Sequence, residues 1–406
     1  MKRIVALALV IFLLNGLTAA AGAQGAEDLN KGTLAFSLKL FEQAVQSGDK
    51  NVVISPVSAY LALSLAAAGA QGETLKAFGE ILGVDVNALA SYCAGLTDLL
   101  MLTKGNTTIT CANSAWIDEG FSVDPSYLKR IESEMKAEAF IKDLDTDAAR
   151  DAINAWVSGK TNGLIPSLLD QNMAKDAVLA LINTLYFKAK WRDPFDANDT
   201  YEREFILKDG SRVSVPFLNE YRCDRDYIHT DGTEGILRPY DDGNTAFLAL
   251  RATDGRSAQE LAGALDAELL AKYIASAKET YMTLSMPKFT LDYGMTMNDA
   301  LTALGLGRAF DQDLAEFGGM GKSETGNIYI SKVLQKVRIE VNEKGTEAAA
   351  ATIVEMMAGS AMPVKEPVEL TLDSSFVYAV VDLQTGIPLF IGCMDDPSLS
   401  VQSTDQ

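Results

Sequence analysis

Histidine is nearly missing from this sequence: His229, in a polar context, is the only one. A Ser-His-Asp or Cys-His catalytic arrangement would have to rest on that one side chain, and metal sites built from imidazole and thiolate are implausible. A surface or packing role is the plainer reading of a lone histidine without neighbouring ligands. Cysteine is scarce too. Cys93, Cys111, Cys223 and Cys393 are too few to scaffold 406 residues, so buried free thiols are expected, with a Cys93 to Cys111 bridge open but not expected. Positive charge is short as well, 35 Lys and Arg against 55 Asp and Glu, a formal net charge of -20. Phosphates are held by Lys and Arg, and no basic cluster stands out, so neither nucleic acid nor an anionic membrane is expected as partner.

No apolar run is long enough for a membrane span of about 20 residues. Ile4 to Leu14 follows Met1-Lys-Arg3, is broken by Asn15 and Gly16, and gives way to small residues through Ala23. That order reads as a secretory signal peptide, residues 1–23, cleaved after Ala23, and hence as a secreted, extracellular protein. Phosphate and calcium loops are missing. Gly318-Gly-Met-Gly-Lys-Ser323 has the residue types of a phosphate loop, but its first glycine would fall at Glu316. Asp311 to Glu316 lacks the oxygen ligands and glycine of a calcium loop. No cofactor is expected. The many carboxylates read more simply as a solvated acidic face than as a glycosidase pair.

What the chain does have is 48% hydrophobic residues, enough for a large core, with no linker and no internal repeat, so residues 24–406 are expected to form one domain. Helical spacing runs through Asp28–Ser47, Ala59–Ala68, Gly72–Leu82, Asn87–Leu102, Asp145–Ser158, Ser257–Ala277 and Met297–Gly305. Ser55-Pro56 is a helix start. Strand patterns occur at Val52–Ile54, Thr107–Trp116, Arg203–Leu207, Val213–Phe217, Thr245–Leu250 and Thr283–Phe289, with a hairpin of Phe376–Asp382 and Pro388–Met394. Val178–Lys190, apolar almost throughout, suits a central strand covered on both faces. The fold class is mixed α+β.

One stretch stands apart. Gln335–Glu343 alternates as a strand with one buried face, Gly345 permits a reversal, and then the even positions from Thr346 to Ala358 carry no charge while Glu347 and Glu355 sit at odd ones. Such a segment could lie back antiparallel on the preceding strand, or stay in solvent as an Ala-rich linker or helix.

Glu343-Lys-Gly-Thr-Glu-Ala-Ala-Ala-Ala351 resembles the reactive-loop hinge of the serpins, the serine protease inhibitor superfamily. Asn51-Val-Val-Ile-Ser-Pro-Val-Ser58, Ile153-Asn-Ala-Trp-Val157 with Thr161-Asn-Gly163, Asn183-Thr-Leu-Tyr-Phe-Lys-Ala-Lys-Trp191, and Pro388-Leu-Phe-Ile-Gly392 with Pro397 resemble the family's other motifs in order. The resemblance implies three β-sheets, eight or nine helices and an exposed reactive-centre loop at about 343–367. It implies no catalytic residues but a suicide mechanism, in which a protease cleaves the loop and is trapped as the acyl-enzyme while the loop enters the central sheet.

The hinge would be Glu343, Gly345, Thr346, Glu347, Ala348, Ala349, Ala350 and Ala351, whose small inward residues favour an inhibitor over a non-inhibitory carrier. Family spacing puts the cleaved bond at Gly359-Ser360, with Ala358-Gly359 and Met357-Ala358 open because loop lengths vary. A small residue there points to elastase-like or subtilisin-like serine proteases ahead of trypsin-like ones; cysteine proteases are the alternative target. By motif, Ser55, Ser58 and Asn183 match the shutter beneath the sheet and Trp191 the breach at its top. Gln335 stands where the family usually has a histidine, which puts histidine-linked pH-dependent opening in doubt. The acidic stretch Asp85–Leu102 departs from heparin-activated members, so no polyanion cofactor is expected. A monomer forming a covalent 1:1 complex with its target completes the expectation.

Overall fold

The computed structural model describes residues 23–48, 50–84, 88–100, 103–104, 107–323, 327–346 and 366–400. The expected signal peptide up to residue 22, hinge residues Glu347, Ala348, Ala349, Ala350 and Ala351, and the candidate cleavage residues Met357, Ala358, Gly359 and Ser360 lie outside them. Among the described residues there are nine α-helices and three sheets of nine, seven and two strands, a mixed α+β architecture.

The strands that matter most are β1 (Thr107–Asp118), β2 (Leu179–Lys190), β3 (Tyr201–Ile206), β4 (Arg212–Thr230), β5 (Lys278–Pro287), β6 (Phe289–Thr296), β7 (Lys332–Val341), β8 (Gly345–Thr346) and β9 (Val368–Thr371). β6, β7, β2 and β1 lie side by side in the seven-stranded sheet, while β3, β4, β5 and β9 belong to the nine-stranded one. As its continuous apolar pattern requires, β2 is central and covered on both faces. One cover is α1 (Pro56–Ala67), every residue of which is buried; a helix apolar all round has no solvent face to offer. The other is α2 (Asp147–Lys160), whose Ile153 and Val157 form a second core with Trp116, Ala180 and Ile182.

Several expectations need correction. Ser257–Ala277 is two helices, Ala258–Ala264 and Ala267–Ser276, because the Asp266 carboxylate accepts from the Leu269 N–H and starts the second. Met297–Gly305 is helical only over Asn298–Leu301 and then loosens into a π turn, since Gly305 takes φ +111°. Thr283–Phe289 is not one strand: β5 ends at Pro287, and β6, from Phe289, belongs to the other sheet. The helix Pro125–Ser133 and the length of β4 were not anticipated. All four cysteines are free, but Cys223 is only half-buried.

Candidate functional site: a slot between two parallel strands

β2 and β7 run parallel and are paired over six levels, from Lys332 opposite Ala180 to Val337 opposite Leu185. Beyond that level they part. β7 continues to Val341 paired only with β6, and β2 continues to Lys190. Into the mouth between them the chain itself turns back. Asn342 closes the turn, its N–H donating to the Gly345 carbonyl at 3.0 Å and its Oδ1 accepting from the Lys344 and Gly345 N–H groups at 3.0 and 3.2 Å. Gly345 and Thr346 then pair antiparallel with Lys190 and Ala189 of β2. Gly345 and Thr346 thus lie back antiparallel on β2 and not on the preceding strand, which Gly345 meets through its bridge to Asn342; the rest of the segment lies outside the described residues. Only glycine fits at 345: φ is +142°, and a Cβ would collide with the Ala189 carbonyl oxygen.

The mouth is held by aromatic packing and one ion pair. Trp191 is buried, stacks on Tyr240 at 4.7 Å, and donates from Nε1 to the Asn342 carbonyl at 2.8 Å. Its backbone N–H donates to the Lys344 carbonyl, and that of Phe195 to the Glu343 carbonyl. Trp191 is therefore both packing and a direct clamp on the turn. The Glu343 carboxylate accepts from Lys288 Nζ at 2.9 and 3.1 Å and from Thr200 Oγ1 at 2.9 Å. Burial alone would raise the Glu343 pKa, but its own backbone N–H, the Lys288 ammonium and the Thr200 hydroxyl together hold it below the usual glutamate range. Beneath Trp191 the Arg238 guanidinium, 2% exposed, lies 3.9 Å from the Phe195 ring centre and forms an ion pair with Glu220, which also binds Arg225.

Halfway down, where the strands are still joined, Gln335 and Asn183 sit at the same level, as do Asn183 and Asn113 on β1. Their amides form a row. Asn183 Nδ2 donates to Asn113 Oδ1 at 2.5 Å, and Gln335 Nε2 reaches Asn183 Oδ1 at 3.4 Å. Gln335 also brackets the backbone ahead of α1: its Nε2 donates to the Ser55 carbonyl at 2.8 Å and its Oε1 accepts from the Ser55 N–H at 2.9 Å. A neutral amide with one donor and one acceptor end can satisfy both groups at once. The helix does start at Ser55-Pro56, but the Ser55 hydroxyl makes no capping bond, and its backbone carries the contact with Gln335. Ser58 Oγ lies 3.6 Å from Cys111 Sγ, which also receives Asn113 Nδ2 at 3.6 Å and Asn183 Nδ2 at 3.9 Å.

The structure therefore brings Ser55, Ser58, Asn183 and Gln335 together, as the motifs implied, and places Trp191, Glu343 and Gly345 together at the mouth. Sequence reasoning missed Cys111, Asn113, Thr200, Lys288 and Asn342. A signal existed for two of them: Cys111 and Asn113 are two apart between Ile109 and Ala115 on one face of the strand, where a polar pair needs an explanation.

The sheet thus has two parallel strands parted at one end, with Gly345 and Thr346 paired to one of them inside the gap. The chain belongs to the serpin family. The family model described as "Serpin (serine protease inhibitor)" matches residues 31–397. Serpin-ZXA of Oryza sativa subsp. japonica is 33% identical over 386 residues, 90% of this chain and 95% of the relative. Serpin-Z2B of Triticum aestivum is 32% identical over 371 residues, 87% and 92% of the two chains. Among solved structures, the thermophilic serpin tengpin is similar in its native state with a TM-score of 0.84 at 33% identity, covering 90% of this chain and 94% of that one. In its latent state the TM-score is 0.76, at 31% identity, 90% and 97% coverage.

Proposed function

We propose that this serpin is a secreted, single-use inhibitor of serine proteases that traps the acyl-enzyme by drawing its cleaved loop into the slot between β2 and β7. The observation that carries the reading is the pairing of Gly345 and Thr346 with Lys190 and Ala189, the first two levels of a strand with open positions below it. Continuing that register one residue at a time brings Ala348 to Phe187, Ala350 to Leu185 and Thr352 to Asn183, small residues against the inward face of β2. Glu347 would come to Lys188 on the outward face. Glu355 would come to Ala180, beneath α2, where Lys332 at the same level on β7 is the available counter-ion.

The driving force follows from counting bonds. Entry breaks the six paired levels between β2 and β7, and both strands then pair with the newcomer instead. Each interior hydrogen bond contributes about 1 kcal/mol net, so a strand of about ten residues gains on the order of 10 kcal/mol. The uninserted form must then be kept by a barrier and not by equilibrium. Elastase-like and subtilisin-like enzymes are the preferred targets.

Incubation with pancreatic elastase or subtilisin should give a complex that survives a denaturing gel, one protease per inhibitor. Mass spectrometry of the released C-terminal peptide should place the cut near Gly359-Ser360, and the mature N-terminus should start after Ala23. Protein nicked in the loop should melt well above the intact form. Melting at the same temperature would rule out strand entry and leave the carrier reading.

A further inference from the structure

At the end of β3 remote from Thr200, four segments enclose a cavity of about 200 Å³. Lys50 comes from the chain after the first helix, Ala23–Val45, and Leu207 and Lys208 from the turn between β3 and β4. Gln259 belongs to the helix Ala258–Ala264, and Asp395 and Asp396 follow the last strand. Asn51 fixes the acidic corner. Its Oδ1 accepts from the Asp395 and Asp396 N–H groups at 2.9 and 2.8 Å, and its Nδ2 donates to the Asp396 carbonyl at 2.7 Å.

Several polar groups around the cavity are already spent. The Asp396 carboxylate accepts from Lys50 Nζ at 3.3 Å, from the Ser398 N–H at 3.1 Å and from the Ser398 hydroxyl. Asp209, also in the wall, accepts from the N–H and hydroxyl of Ser211. Three groups keep capacity. Asp395, 8% exposed, forms no ion pair among the described residues; burial raises its pKa, and the Ser375 hydroxyl and the Lys208 charge offset only part of that. Lys208 Nζ donates to Gln259 Oε1 at 2.7 Å, which leaves it two further hydrogens and leaves the Gln259 amide nitrogen as a donor.

The cavity therefore offers one buried carboxylate and, from other segments, two donors of which one is charged, with Leu207 as an apolar wall. A desolvated carboxylate is best satisfied by a hydrogen-bonding cation, and a lysine beside an amide by a carboxylate. A molecule carrying an ammonium and a carboxylate on one carbon meets both demands. A cavity of about 150 Å³ holds benzene, so this one takes about eight non-hydrogen atoms.

We propose that this cavity binds a small free α-amino acid, with its ammonium on Asp395, its carboxylate on Lys208 and Gln259, and its side chain against Leu207. The site is independent of the inhibitory reading, and failure of either leaves the other standing.

The test is calorimetric titration of the wild-type protein with L-valine. Saturable one-to-one binding is expected, and the melting temperature should rise with valine, because a ligand held only by the folded state stabilises it. Isobutylamine and isovalerate keep the same carbon skeleton with one charge each, and should bind at least about tenfold more weakly. Asp395→Asn should weaken valine and isobutylamine about tenfold or more without weakening isovalerate. Lys208→Met combined with Gln259→Leu should do the reverse, weakening valine and isovalerate and sparing isobutylamine. If Asp395→Asn does not fold, the second variant carries the test. No saturable valine binding, wild-type valine affinity in a folded variant, or isobutylamine binding as tightly as valine would each overturn the site.

Discussion

The two ends of the β2/β7 contact differ in what holds them. At the mouth the strands no longer touch; they are spaced by the chain's own turn, clamped by Trp191 and by the Glu343 carboxylate on Lys288 and Thr200. At mid-height they are joined by backbone pairing and by the Gln335, Asn183 and Asn113 amides. The mouth uses long-range charge and aromatic area, which tolerate a gap. The middle uses short, uncharged hydrogen bonds, which are either made or broken. On the proposed mechanism, entry would begin without breaking a strand pair, would first part Val337 from Leu185, and would then meet the side-chain bonds at the level of Gln335. There the weakest link of the row is the 3.4 Å contact between the two separating strands, while the 2.5 Å Asn183–Asn113 bond stays on one side.

The largest test of that division is Thr346→Arg. A guanidinium at the first inserted level would have to be buried unpaired, at a cost of several kcal/mol. The variant should be cleaved as an ordinary substrate, with the covalent band lost from a denaturing gel; a wild-type yield of complex would break the account of the mouth.

Next, Gln335→Ala should destabilise by about 1–3 kcal/mol, because the Ser55 N–H and carbonyl lose their partner inside the protein, seen as a lower denaturation midpoint. Gln335→His sharpens the point. The wild-type opening rate should be flat between about pH 5.5 and 8, since a Gln side chain does not titrate, whereas the histidine variant should acquire a pH dependence.

Glu343→Gln tests the mouth electrostatically, with an expected loss of roughly 1–2 kcal/mol for a partly screened pair. The sign is fixed by the lowered pKa of Glu343: a carboxylate depressed on folding stabilises above its unfolded pKa, and that stability is lost as pH falls through the folded value. The difference between wild type and variant should thus be full at pH 7 and fade only below the ordinary glutamate range.

The smallest effect concerns the thiols. Burial, only partly offset by Ser58, Asn183 and Asn113, raises the Cys111 pKa, and Cys93 and Cys393 are likewise buried and raised. Under brief alkylation of native protein, Cys223 should be labelled first, read by peptide mass spectrometry; Cys111 should react only once the strands part.

Much of the strand placement was legible, because alternation and continuous apolar runs are set by which faces are covered. β2 could be recognised as central from its composition alone, and α1 as buried from its lack of any polar stripe. The break at Asp266 and the end of β5 at Pro287 were harder, since each depends on a local bond or a change of sheet that periodicity does not register. The site was legible only through its motif residues. Their partners, Lys288 and Thr200 on Glu343, Cys111 and Asn113 beside Asn183, come from segments as many as 143 residues away, and no spacing rule spans that distance.

By itself, the sequence determined the supply of parts: a single histidine and four scattered cysteines, a strand that must be buried, a glycine at a reversal, and small uncharged residues at alternate positions after it. Tertiary structure decided which strand the returning segment would meet. Gly345 and Thr346 pair with β2 because β7 has already separated from it above Val337. That separation is a property of two strands brought together from opposite halves of the chain, whose free edges exist only once the sheet has formed.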